Sequence, residues 1–102
     1  MRWTAFLLAM LLGQAHAAEV VEVRIRDYKF IPERVAVKAG TTVKWTNDEK
    51  RASHSVVFPA EKLESERLMN GDSWQRSFDQ PGVYPYTCEP HPEMKGTVEV
   101  LP

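Results

Sequence analysis

The chain has 102 residues, 43% of them hydrophobic, and a formal charge of −1 that balances 13 basic against 14 acidic side chains. That length allows one small domain and one modest core. Near-neutral charge without a basic, aromatic-interleaved patch excludes nucleic-acid binding as the main task.

The N-terminus comes first. Arg2 supplies a positive start, Phe6 to Leu12 form a short apolar run, and Ala15-His16-Ala17 fits the small-x-small pattern cut by signal peptidases. Residues 1–17 are therefore expected to be a secretory signal peptide, and residues 18–102 the domain. The apolar run is too short to span a bilayer, so no stable membrane insertion is expected after cleavage. The mature chain loses Arg2 and carries −2.

Short strands separated by turns follow. Val21, Val23 and Ile25 alternate with Glu22, Arg24 and Arg26, the period of a half-buried strand. Val35 and Val37 repeat the pattern before the Ala39-Gly40 turn, and Val43 and Trp45 continue it up to Asn47-Asp48. His54 to Phe58 is a β-branched stretch. Ala60 to Leu68 is charged and reads as a short helical turn or a solvated loop. Ser73 to Phe78 is a strand candidate closed by Asp79-Gln-Pro-Gly82, and Val83 to Cys88 places Tyr84, Tyr86 and Cys88 on one face. Gly96 to Leu101 ends the series with Val98 and Val100 inward. Close-spaced short strands with turn signals predict an all-β sandwich or barrel of about seven to eight strands, with one short helical turn. Trp45 and Trp74 are expected in the core, Tyr86 beneath the loop that follows it, and Met69 at a turn.

The chemistry lies in Cys88-Glu-Pro-His91-Pro-Glu-Met94, where a thiol, an imidazole and a thioether recur every third position. Cys88 is the sole cysteine, so no intramolecular disulfide can protect it in an oxidising compartment. A bound metal would. His54 supplies a second imidazole, since His16 leaves with the signal peptide. Two imidazoles, one thiolate and a weak thioether form the donor set of a blue-copper centre. Zinc is the rival, but it prefers four firm ligands, often with paired cysteines, and a thioether serves it poorly. Pro90 and Pro92 fix φ on either side of His91 and remove two backbone donors, which presets the loop.

These motifs resemble the type 1 copper site of the cupredoxins. The likeness is nearest to the amicyanin branch, whose two-residue gap between His and Met matches His91 and Met94; plastocyanin and pseudoazurin have longer gaps. The resemblance runs through the His54 segment, Gly71-Asp-Ser-Trp74, Pro81-Gly-Val-Tyr84, Tyr86-x-Cys88-x-x-His91-x-x-Met94 and Gly96-Thr-Val-Glu-Val100. It implies a Greek-key β-sandwich holding one copper ion, with His54, Cys88 and His91 as strong ligands and Met94 as the weak axial one. It further implies a periplasmic, monomeric, non-enzymatic carrier of single electrons. Its partners would be redox proteins such as a c-type cytochrome or a periplasmic dehydrogenase. The alternative is a copper carrier or buffer. Two departures stand out: Ser55 replaces the Asn that usually follows the first histidine, and Glu93 places a charge in the ligand loop. Ser55 makes fewer hydrogen bonds than Asn, but its backbone N–H is expected to reach the Cys88 sulfur.

Overall fold

The computed structural model describes residues 19–102; the expected signal peptide lies outside them. The described chain forms β1 (Val20–Arg26), β2 (Lys29–Ile31), β3 (Arg34–Lys38), β4 (Thr41–Asn47), β5 (Val57–Phe58), β6 (Leu63–Glu64), β7 (Ser73–Phe78), β8 (Gly82–Thr87) and β9 (Lys95–Leu101). Two sheets result, ordered β2-β1-β4-β7 and β3-β9-β8-β5-β6. This is the expected all-β sandwich, with nine strands among the described residues rather than seven or eight.

The extra strands are β2 and β6. With three and two residues they are too short to show a period. β6 falls in the charged Ala60–Leu68 stretch, and a 3₁₀ turn over Pro59–Glu61, the expected short helical turn, leads into it. That stretch is less solvated than its charges imply, because Ser65 and Leu68 are buried. Of the expected His54–Phe58 strand, only Val57–Phe58 pairs within a sheet, while His54 forms an isolated bridge with Leu68.

The alternating residues make the core. Val23 and Ile25 of β1, Val43 and Trp45 of β4, Phe78 of β7, Tyr86 of β8, and Val98 and Val100 of β9 are all buried. Trp45 joins the two sheets: its ring meets Phe58 at 6.0 Å and Tyr86 at 5.3 Å, both edge-on, and half-buried Trp74 lies 5.6 Å away. Tyr86 packs against the backbone of Gly96, its partner across β9. A Cβ on Gly96 would lie 2.3 Å from the Tyr86 ring, so only glycine fits. Met69 is exposed.

Pairing fixes which loops meet. β1 runs parallel to β4, with Ile25 opposite Asn47, and β8 runs antiparallel to β9, with Thr87 opposite Lys95. Val57 pairs with Thr87, and Ser73 with Thr46. The β1–β2 turn, residues 48–56, residues 65–72 and residues 88–94 therefore gather at one end of the sandwich.

Candidate metal centre

Two consecutive turns shape the 88–94 loop. The His91 N–H donates to the Cys88 carbonyl at 3.3 Å, and the Met94 N–H donates to the His91 carbonyl at 2.9 Å. The three-residue spacing of Cys88, His91 and Met94 is thus the first-to-fourth spacing of a β-turn, used twice. Pro92 occupies the second position of the second turn, where its fixed φ is favourable. Cys88 and Met94 are buried, His91 is half-buried, and Pro92 and Glu93 face solvent. Glu93 borders a cleft of about 230 Å³ shared with Tyr28, Lys29 and Lys95.

His54 arrives from the other side and has no solvent exposure. Its backbone N–H donates to the Leu68 carbonyl at 3.1 Å and its carbonyl accepts from the Leu68 N–H at 2.7 Å. Asn47 holds this arrangement. Its Nδ2 donates to the carbonyls of Ala52 at 3.0 Å and Leu68 at 2.8 Å, and its Oδ1 accepts from the Glu49 N–H at 2.8 Å.

The structure brings His54, Cys88 and His91 together, their donor atoms all within 4.8 Å of one another. Both imidazoles turn Nδ1 toward the Cys88 sulfur, at 3.5 Å from His54 and 3.8 Å from His91. The Ser55 N–H donates to the same sulfur at 3.4 Å, as the sequence led us to expect. The Ser55 hydroxyl also accepts from the Glu89 N–H at 3.0 Å, so serine still ties the two ligand-bearing segments together.

The electrostatics of the cluster favour a cation. Burial pushes the Cys88 thiol up, against hydrogen bonds from Ser55 and His91 that lower it. A buried thiolate therefore needs positive charge close by. Burial pushes His54 down, assisted by His91 and opposed by Glu49, which leaves a neutral imidazole able to donate a lone pair. Convergent Nδ1 atoms, a free thiol and a neutral buried imidazole fit a soft metal ion.

Three contributors were not legible in the sequence. Asn47 read only as a strand stop. Glu49 lies 3.5 Å from His54 Nε2, on the side away from the sulfur. Tyr28 sets its ring edge-on to both imidazoles. The unusual run Asp27-Tyr28 in a two-residue hairpin was the available signal for the last, since that turn favours Asn-Gly.

Comparison with known proteins supports the same assignment. A family model described as a cupredoxin-like domain matches residues 1–100. Amicyanin-alpha of Methylorubrum extorquens is 38% identical over 92 residues, covering 85% of this chain and 76% of that one. Plastocyanin of Scenedesmus fuscus is 40% identical over 84 residues, covering 70% and 85% respectively. The solved Cu(I) form of an amicyanin mutant is similar with a TM-score of 0.78 and 33% identity, over 84% of this chain and 86% of that one.

Proposed function

The chain belongs to the cupredoxin-like family, and we propose that it is a mononuclear type 1 copper protein that carries single electrons between larger redox proteins. The convergence of both Nδ1 atoms on the Cys88 sulfur carries this reading. His54, Cys88 and His91 are its strong ligands and buried Met94 the weak axial one. Copper supplies a one-electron change between Cu(I) and Cu(II). The chain supplies the rest. The two turns and two prolines hold the loop donors, the Leu68 bridge holds His54, and Ser55 donates to the sulfur. Half-buried His91, beside exposed Pro92, is the shortest way out for an electron.

We read the chain as a carrier rather than an enzyme. One centre uses both histidines of the mature chain and its single cysteine, leaving no set for the second metal that copper catalysis on oxygen or nitrite requires. A copper delivery protein is disfavoured because His54 and Cys88 are fully buried, where exchange between proteins is hindered. The signal-peptide pattern at residues 1–17 supports export, and we read the chain as periplasmic. There a c-type cytochrome or a dehydrogenase is the partner class. Among the described residues no helix is long and apolar enough to cross a membrane.

Titration of the purified protein with Cu(II) tests the assignment. One equivalent should produce an intense visible band from thiolate-to-copper charge transfer, and Cys88→Ala should abolish it. A stoichiometric but colourless Cu(II) complex of the intact protein would overturn the type 1 reading.

A further inference from the structure

The β1–β2 hairpin turns through Asp27 and Tyr28, both left-handed, with φ of 54° and 56°. Two such residues make a turn that favours Asn-Gly, and a bulky side chain there is unfavourable. Strain of that kind persists where the surrounding structure uses it. Here the turn delivers the Tyr28 ring to the metal centre. The ring stands edge-on to His91 at 4.9 Å and 88°, and to His54 at 5.4 Å and 85°. The Tyr28 backbone N–H donates to Glu49 Oε1 at 2.7 Å, and the same oxygen lies 3.5 Å from His54 Nε2. Glu49 is in turn fixed by its own N–H on Asn47 Oδ1.

We propose that Tyr28 is a positioning residue for both imidazoles, its ring acting as an edge-on clamp against them. Its ring limits rotation of half-buried His91, which lacks the enclosure of His54. Its N–H holds a Glu49 carboxylate oxygen 3.5 Å from His54 Nε2, a buried nitrogen with no hydrogen-bond partner of its own. The nearby negative charge favours a proton on that nitrogen and leaves Nδ1 free toward the sulfur. A carboxylate on the far nitrogen is a common way to orient a ligating histidine. This rests on the reading of His54 and His91 as ligands. The clamp keeps both rings where they are whichever charge the centre carries, so little rearrangement accompanies electron transfer.

Two substitutions separate the ring from the turn. Tyr28→Gly suits the left-handed φ, keeps the N–H on Glu49 and should leave stability unchanged or higher. Tyr28→Phe keeps the ring. In the metal-free protein, NMR relaxation of the imidazoles should show His91 loosened by Tyr28→Gly and unaffected by Tyr28→Phe. In the copper-loaded protein, Tyr28→Gly should slow electron self-exchange by about tenfold, about 1.4 kcal/mol of added barrier, with Tyr28→Phe near wild type. Unchanged His91 motion in Tyr28→Gly would overturn the clamp, and so would a Tyr28→Phe protein that behaves like it. If no coloured Cu(II) complex forms, the copper reading fails, and the metal-free measurement still decides the clamp.

Discussion

The two halves of the metal centre are built on opposite principles. The Cys88–Met94 half is mainly local, with two turns inside seven residues spacing three donors through backbone bonds within the segment. The His54 half is long-range. Its position depends on Leu68, on the Asn47 side chain and on a carboxylate held by the β1–β2 turn. Ser55 joins the halves through its N–H to the Cys88 sulfur and its hydroxyl to the Glu89 N–H. A site assembled in this way is only as ordered as its long-range half. Damage to the sandwich should reach His54 before it reaches the loop.

Asn47→Ala tests that order most severely. It leaves the Leu68 and Ala52 carbonyls without the amide that serves them, at a site with no solvent exposure. We expect a loss of about 3 kcal/mol in denaturant unfolding of the metal-free protein, with weaker copper binding. A loss below about 1 kcal/mol would show that the His54 half does not depend on this amide. Ser55→Ala, at the junction, should cost about 1 kcal/mol by orphaning the Glu89 N–H while keeping the backbone bond to the sulfur. Its copper complex should stay coloured; a colourless one would mean that the hydroxyl, not the backbone, holds the halves in register.

On the local half the expected effect on stability is smaller. Met94→Leu conserves volume at a buried position and should cost under about 1.5 kcal/mol. It should retain copper and raise the reduction potential, because an apolar axial position disfavours Cu(II). Complete loss of copper would make Met94 structural. The smallest effect is a control remote from both halves. Arg76 donates twice to Glu61, at 2.9 and 2.7 Å, with its guanidinium over the Phe58 and Phe78 rings. The hydrogen bonds from Arg76 hold the Glu61 carboxyl below the ordinary glutamate range, against a small opposing effect of burial. A depressed carboxyl stabilises the fold above its unfolded-state pKa, and that contribution is lost as pH falls through the folded-state value. Glu61→Gln should remove this acid sensitivity, worth about 0.5 kcal/mol for a pair whose carboxylate is exposed, and leave the copper band unmoved.

The division between local and long-range also explains what could be read in advance. The strands with clean alternation, β1, β3, β4 and β9, were legible because period two survives in any sheet. The Cys88–His91–Met94 spacing was legible because a β-turn writes its geometry into four successive residues. β2 and β6 were not, being shorter than any period that could betray them. Nor was the burial of Leu68, whose charged neighbours suggested solvent, because it joins the core and pairs with His54 from far along the chain.

The amino-acid sequence by itself determined the donor set, the loop that carries three of its members and the alternating faces of the sandwich, since each depends on neighbours within a few positions. Tertiary structure alone decided that His54 meets Cys88, that Asn47 and Glu49 support it, and that Tyr28 lies against both imidazoles. The meeting of His54 and Cys88 follows from the pairing of Val57 with Thr87 across β5 and β8. The Asn47, Glu49 and Tyr28 contacts follow from the parallel register of β1 on β4, with Ile25 opposite Asn47. Such pairing is set by how the whole core packs, and no local run of residues encodes it.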